Sequence, residues 1–227
     1  MRLLEFLALY EALDPELRRN RKQMIKHFLS LNYYSKWNAE HSMQVARLAR
    51  DFGGKHLGYN INKILKAALT HDVGKTKVPK EVLHKAGKLE ANERVIMNTH
   101  VEAAFDMLKT LTGEHAKLAR QGAEHHHTPA SEVDHLIGKE LLTPEEGELV
   151  KIIMICDIFE ALTSQSRPYK EPLTKYDALE LMQSIQALDH PLLKKFIEWQ
   201  HREFANEYRM EYVERERQKL DARKTVS

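Results

Sequence analysis

The chain has 227 residues, of which 42% are hydrophobic and 30% charged, and its formal net charge is +2. This balance is typical of a globular protein rather than a disordered chain, and the length suffices for one well-buried domain. So small a positive surplus argues against a protein that binds nucleic acid mainly through phosphate contacts.

A single cysteine and the lack of long apolar segments indicate the cellular compartment of the protein. Cys156 has no second cysteine with which to form a disulfide or a thiolate metal site, and its apolar surroundings predict a buried thiol. No segment approaches the about 18 apolar residues of a membrane span. Glu5 and Glu11 interrupt the apolar start of the chain, which argues against a secretory signal. We therefore expect a cytoplasmic protein without a membrane partner.

The periodicity is helical nearly throughout and predicts an all-α fold. Residues 2–31 have the pattern of one or two amphipathic helices with a break near Asp14-Pro15. Residues 39–52 predict a further helix. We expect Gly53-Gly54 to end it, because glycine commonly follows the last turn of a helix.

The middle of the chain places histidines at the ends of helices. Asn60 is a suitable cap for a helix that carries His71 and Asp72 at its C-terminal end. A turn-rich stretch with one short helix follows, and helical periodicity returns over 92–110 and 113–127. The second of these helices ends in three consecutive histidines.

Residues 128–146 are the least regular interior segment and predict a long loop, a feature that is often functional in compact domains. Thr143, Pro144 and Glu146 then combine an N-cap, a proline at the first helical position and a capping-box glutamate. They predict a helix that runs through Asp157.

Two further helices are predicted in the C-terminal part. Thr174 with Asp177 begins one, and a long charged helix begins at Pro191. The latter carries aromatic residues at four-residue spacing: Phe204, Tyr208 and Tyr212. We expect an N-terminal helical extension over 1–34, one domain over 35–198 and a charged C-terminal helix over 199–227. The terminal helices could pack on their own domain or form a homodimer.

Seven histidine and aspartate side chains are candidate metal ligands, and each lies on or at the end of a helical segment. They are His41, His71, Asp72, His100, His126, His127 and Asp157. Helix bundles build metal sites from side chains that several helices direct into the core. Imidazole with carboxylate and no thiolate favours Fe, Mn, Zn or Ni over Cu(I) or iron–sulfur clusters. Any one of these histidines alone is more often a surface or satisfied polar residue than a ligand.

The segment HDVGKTKVP strengthens the metal interpretation. His71 and Asp72 follow an apolar helix directly, so that adjacent side chains could reach two metals. Gly74 lets the backbone turn, and Lys75 is then placed to meet a phosphate.

Three separated segments resemble one known superfamily. They occur in the same order as in that superfamily, and the match spans residues 35–198. EHSMQVARLARDFG looks like the first helix of HD-domain phosphohydrolases. HDVGKTKVPKEVLHKAGKLEANERVIMNTHVEAAFDML is similar to the core of the HD-GYP family, a branch of that superfamily. CDIFEALTSQSRPYKEPLTKYDALELM resembles the family's later segment. The resemblance implies an HD-domain helical bundle.

The resemblance also implies two divalent ions, Fe or Mn first and Zn or Ni as alternatives. It assigns one ion to His41, His71, Asp72 and Asp157, and a second ion to Asp72, His100, His126 and His127. Lys75 would contact the scissile phosphate, and Arg167 and Lys170 would contact substrate phosphates, although one extra residue precedes them here. Three consecutive histidines leave both His125-His126 and His126-His127 open as the ligand pair, and the family pattern favours the second.

Two departures from the family bear on function. TPASEVDHLIGKELL stands where members usually have a DGxGYP loop, which leaves the substrate open. Trp37 occupies the position of the glutamate of three-metal members, so we expect two metals. The resemblance implies a metal-dependent phosphodiesterase acting on a cyclic dinucleotide such as cyclic di-GMP. The alternatives are a nucleotide phosphohydrolase with another phosphoester substrate and a degenerate HD-GYP module that binds or signals without catalysis. No residue stands out as the general acid.

Overall fold

The computed structural model describes residues 18–165, 171–205, 209–214 and 216–217, and within these ranges every regular element is helical. The α-helices are α1 (Arg18–Tyr34), α2 (Lys36–Ala49), α3 (Ile61–Thr70), α4 (Lys80–Leu83), α5 (Ala91–Leu108), α6 (Glu114–His125), α7 (Ala130–Gly138), α8 (Pro144–Thr163), α9 (Lys175–Met182) and α10 (His190–Glu203). A π-helical segment (Arg50–His56) extends α2, and a 3-10 helix (Val73–Lys77) follows α3. Residues 209–214 are also helical. The predicted all-α fold is confirmed.

Helix α8 lies at the centre of the molecule, with α2, α3 and α6 packed around it. Its residues are apolar on every side from Leu149 to Cys156 except at Lys151, and that whole run is buried, as expected for a helix without a polar face. The predicted capping box is confirmed. Thr143 Oγ1 accepts a hydrogen bond from the amide of Glu146 at 3.2 Å, and the Glu146 carboxylate accepts one from the amide of Thr143 at 2.8 Å.

Helix α1 contributes to the same core. Met24, Phe28 and Leu31 lie on one face of α1 and are almost completely buried against the helices that follow. The predicted break near Asp14-Pro15 lies outside the described residues.

The prediction that Gly53-Gly54 end the second helix is wrong. The π-helical segment continues through both residues, with the amide of Leu57 donating to the carbonyl of Phe52 at 2.9 Å. A Cβ atom on Gly53 would lie 2.7 Å from Cδ1 of Ile64, so the missing side chain allows this segment to pack closely on α3. The glycine at the end of the helix is Gly58, whose φ of +83° is the left-handed conformation that terminates helices.

The predicted long loop over 128–146 is wrong in its central part, which forms α7. Val133 of α7 is fully buried in a small apolar cluster with Val150 of α8, and Ile137 packs on that cluster. Gly147 permits the contact, because a Cβ atom there would lie 2.3 Å from Cδ1 of Ile137. Apolar residues at four-residue spacing thus hold a short helix on α8.

The predicted long C-terminal helix is interrupted. Helix α10 ends at Glu203, and Phe204 leaves the helical conformation with φ −120° and ψ 30°. The Phe204 ring meets the Trp199 ring edge-on at 6.2 Å, and the Tyr212 ring lies 6.0 Å from that of Tyr176. Phe204 and Tyr212 therefore both contact aromatic residues of their own chain. Tyr208 lies outside the described residues. The homodimer stays a prediction.

None of the helices in the described part of the chain combines the length and apolar character that crossing a membrane requires.

Candidate metal centre

Six of the seven predicted ligands lie in one buried cluster between α2, α3, α5, α6 and α8. Each exposes at most 7% of its surface: His41, His71, Asp72, His100, His126 and Asp157. His71 is the C-cap of α3, and Asp72 leaves the helical conformation with φ −104° and ψ 6°. The end of α3 thus delivers both residues to the middle of the bundle.

Gly74 brings the turn after α3 into contact with the backbone of α5. A Cβ atom on Gly74 would lie 1.9 Å from the carbonyl oxygen of His100 and 2.5 Å from the amide nitrogen of Ala104. No side chain fits between these two segments. The glycine is therefore needed to place Asp72 beside His100. The sequence predicted Gly74 for its backbone turn, and the structure adds this close packing as a second reason.

Asp72 lies at the centre of the cluster, and its two carboxylate oxygens face different histidines. Oδ2 is 3.3 Å from Nε2 of His71 and 3.6 Å from Nε2 of His41. Oδ1 is 3.5 Å from Nε2 of His100 and 3.8 Å from Nε2 of His126. One carboxylate therefore joins two sets of imidazoles, as a ligand shared by two cations must.

Asp157 and Lys75 flank the first of these sets. Oδ1 of Asp157 is 2.7 Å from Nε2 of His41 and 3.9 Å from Nε2 of His71. The ammonium group of Lys75 donates to Oδ2 of Asp72 at 2.5 Å. Because the Lys75 side chain is 14% exposed, it lies between the buried cluster and the surface, where a phosphate could reach it.

Hydrogen bonds on the far side of the imidazole rings orient most of them. In His71, His100 and His126, Nδ1 donates to the backbone carbonyl three residues earlier, at 2.6, 2.6 and 2.9 Å. These bonds leave Nε2 deprotonated and directed toward Asp72. This is the second-sphere arrangement that orients histidine ligands of metals.

Glu160 orients the fourth buried imidazole and was missed by the sequence analysis. Nδ1 of His41 donates to Oε2 of Glu160, whose residue surface is only 5% exposed. Glu160 lies three residues after Asp157 on α8, so both carboxylates face His41. The available signal was an acidic residue one turn after a candidate ligand in an otherwise apolar helix.

Both central carboxylates are ionised at neutral pH. Burial opposes ionisation of Asp72, but His71 and Lys75 outweigh it and hold the pKa of this carboxyl well below its usual range. Burial likewise opposes ionisation of Asp157, and the close approach of the His41 imidazole keeps the pKa of this carboxyl low.

The imidazoles fall into two groups. Burial lowers the pKa of His100 to about 4 and lowers the pKa of His126 well below its usual value. At His41, burial is outweighed by Asp157 and Glu160, which raise its pKa. Ionised carboxylates and neutral imidazoles are the protonation states that bind metal cations. At His41, the two neighbouring carboxylates favour a positive charge.

Three buried atoms of the cluster make it a candidate site for cations. Nε2 of His41, Nε2 of His71 and Oδ1 of Asp72 have no hydrogen-bond partner among the described residues, a costly condition unless a ligand satisfies them. Three groups have their donor atoms within 4.8 Å of one another: His41, His71 and Asp157; His71, Asp72 and His126; and His100, His126 and His127. This nitrogen and oxygen donor set fits divalent Fe, Mn, Zn or Ni.

The structure brings His127, and not His125, to this cluster. The His127 ring is exposed but lies 5.4 Å from the His100 ring, within the third donor group. Nε2 of His125 lies 3.6 Å from the carboxylate of Glu124. The geometry therefore matches the second of the two pairs left open by the sequence.

The other predicted positions are peripheral. Trp37 packs against His84 with 4.7 Å between the ring centroids, so an aromatic contact fills the position of the family's additional glutamate. Arg167 and Lys170 lie outside the described residues.

Comparison with known proteins identifies the family of this chain. A family model described as the HD domain matches residues 31–190. The 3'3'-cGAMP-specific phosphodiesterase 1 of Vibrio cholerae is 30% identical over 152 residues, which are 65% of this chain and 34% of that protein. The cyclic di-GMP phosphodiesterase response regulator RpfG of Xanthomonas campestris is 34% identical over 116 residues, which are 50% of this chain and 29% of that protein. This chain thus spans about a third of the length of these relatives.

A solved structure shows the same fold. The HD domain of the L. monocytogenes phosphodiesterase PgpH superposes with a TM-score of 0.52 at 19% identity, covering 80% of this chain and 98% of that domain.

Proposed function

This chain belongs to the HD domain family, and on that premise we propose that it is a metal-dependent phosphodiesterase that hydrolyses a cyclic dinucleotide. The observation that carries the proposal is the position of Asp72, whose two oxygens face two separate sets of buried histidines. The names of the relatives support both the reaction class and the substrate class.

The proposed site holds two divalent ions, with Fe and Mn as the first candidates. One ion would be held by His41, His71, Asp72 and Asp157, and the other by Asp72, His100, His126 and His127. The distances from Asp72 to both sets support the shared carboxylate. When bound, such ions supply Lewis acidity and lower the pKa of water.

The residues of this chain position and neutralise the substrate around that chemistry. Lys75 lies within 2.5 Å of Asp72 and at the edge of the buried cluster, so its ammonium group can bind a non-bridging oxygen of the scissile phosphate. Glu160 and the backbone carbonyls hold the imidazoles in the tautomer that ligation requires. Arg167 and Lys170 remain proposed phosphate contacts from the sequence resemblance.

The decisive experiment is hydrolysis by purified protein loaded with Mn²⁺ or Fe²⁺. We expect conversion of cyclic di-GMP or 3'3'-cGAMP to a linear dinucleotide, detected by chromatography. His71→Ala should abolish conversion, whereas His135→Ala, which removes an exposed histidine from α7, should not.

Two other outcomes would overturn the proposal. Full metal loading without turnover of either cyclic dinucleotide would indicate a binding module, the function suggested by the absent DGxGYP loop. Hydrolysis confined to nucleoside monophosphates or other small phosphoesters would keep the hydrolase class but reject the substrate.

A further inference from the structure

A cavity of about 330 Å³ lies directly beside the candidate metal centre, a volume within the range of small-molecule sites. Lys75, His100 and His127 form the wall that it shares with the buried cluster. A molecule whose phosphate meets Lys75 can therefore extend into this cavity.

The floor of the cavity is apolar. Val82 and Leu83 of α4 belong to a small buried cluster on which Leu89 and Met97 pack, and all four side chains line the cavity. Such a surface fits a flat aromatic ring, and the Met97 thioether makes favourable contacts with aromatic groups. The floor thus suits the base of a nucleotide better than another phosphate.

Helix α5 determines what meets the far end of such a ring. Arg94, Met97 and His100 follow one another at three-residue spacing, so they form one oblique stripe, and all three line the cavity. Arg94 lies about 9 Å from His100 along the helix axis, from a rise of about 1.5 Å per residue. A base reaches that far from its own phosphate because the ribose lies between them.

Of the two cations in this part of the cavity, only Arg94 lacks an acidic partner. Both carboxylate oxygens of Glu93 accept hydrogen bonds from Lys85, at 2.8 and 2.6 Å. Nε of Arg94 donates to the carbonyl of Leu89 at 3.3 Å, and no ion pair joins Arg94 to an acidic side chain within the described ranges. The exposed end of its guanidinium is therefore available to a ligand.

Resting on the proposed function, we propose that this cavity holds a nucleobase of the substrate and that Arg94 makes it select guanine over adenine. Guanine presents two adjacent acceptors, O6 and N7, whereas adenine places an amino donor beside N7. Arginine only donates hydrogen bonds, in a planar fork that matches the two acceptors of guanine. Against adenine, one of its donors would meet another donor.

Equilibrium binding tests the preference without turnover. The ligands are hydrolysis-resistant phosphorothioate analogues of cyclic di-GMP and cyclic di-AMP, titrated calorimetrically into the full manganese-loaded chain. We expect the guanine analogue to bind about tenfold more tightly. Arg94→Gln should remove or reverse this preference, because glutamine lacks the donor fork for guanine and its amide can pair with N6 and N7 of adenine. Arg94→Lys should lose most of the preference, because lysine keeps the charge without the fork.

The matched control is Lys88→Gln, which removes an exposed cation from the segment before α5 but not from the cavity lining. It should behave as the wild type. No guanine preference in the wild type, or an unchanged preference in Arg94→Gln, would overturn the inference.

A base-free substrate separates this inference from the proposed function. The wild type and Lys88→Gln should hydrolyse bis(p-nitrophenyl) phosphate at the same rate, which tests the metal centre without a nucleobase. If the wild type hydrolyses no phosphodiester, the proposed function fails, while an Arg94-dependent guanine preference in binding still supports the inference.

Discussion

Helix α8 contributes to two clusters of buried charge that differ in whether the chain itself completes them. In its N-terminal half, the ammonium group of Lys151 lies 2.6 Å from Asp134 of α7 and 3.0 Å from Asp189, the N-cap of α10. Burial would lower the pKa of Lys151, but these carboxylates outweigh it and raise that pKa. The charge is matched within the protein.

In the C-terminal half of α8, Asp157 belongs to a cluster that is not completed in this way. Nε2 of His71 and Oδ1 of Asp72 are buried without a hydrogen-bond partner among the described residues. Both clusters lie on one helix and each contains a buried charged side chain, Lys151 or Asp157, so burial alone does not distinguish structure from function. Unmatched ligand atoms do, because none of the described residues satisfies them and a bound group can.

The largest effect is expected at the unmatched cluster. Asp157→Asn keeps the volume of the side chain but removes its charge, so we expect metal binding to weaken and phosphodiesterase activity to fall. If the metal ions supply several kcal/mol of transition-state stabilisation, their loss lowers the rate of hydrolysis by about 10³-fold or more. Elemental analysis with activity assays measures this, and full metal content with normal turnover would reject Asp157 as a ligand.

The matched cluster should respond in the opposite way. Lys151→Met leaves Asp189 without its buried partner, and we expect the free energy of unfolding to fall by about 3 kcal/mol. Metal content should not change. Urea denaturation with elemental analysis measures both, and a loss of metal in this variant would break the distinction between the two halves of α8.

Glu160 tests whether the unmatched cluster depends on its surrounding residues. Glu160→Ala removes the acceptor that orients His41, and we expect metal affinity to fall by about 10- to 100-fold. Glu160→Gln retains a carbonyl acceptor and should recover part of that loss. Competition with a chelating dye measures affinity; equal values for both variants would mean that Glu160 does not act through the His41 hydrogen bond.

The smallest effect is expected at the beginning of α8. Thr143→Ala removes the N-cap oxygen that accepts from Glu146, which should lower the free energy of unfolding by about 1 kcal/mol. Metal affinity should be unchanged, because the cap lies more than three helical turns from Asp157. Thermal unfolding of metal-free and metal-loaded protein would show an equal loss in both; a loss confined to one form would contradict this.

The sequence predicted the parts of the site that are encoded locally. His71, Asp72, Gly74 and Lys75 are adjacent in the chain, and the capping box at Thr143 is complete within four residues. The capping box is confirmed. The structure also brings His71 and Asp72 close to His100, His126 and Asp157, which were predicted from the order of the family's motifs.

The parts that were missed depend on contacts between distant segments. Gly53 continues a helix because it packs against Ile64, and α7 forms because Gly147 lets Ile137 approach α8. Glu160 faces His41 across 119 positions of sequence. No local pattern specifies these partners. The sequence analysis therefore predicted a helix end at Gly53 and a loop in place of α7, and it assigned no role to Glu160.

The contact at Gly74 has a mechanical consequence for metal exchange. Two stretches of main chain touch there, so the separation between Asp72 and α5 is held by atoms that have no rotatable side chain. If the proposed site exchanges manganese for iron or zinc, the helices cannot move closer to follow the smaller ion. Torsions of the imidazole rings would then have to absorb the difference in ionic radius.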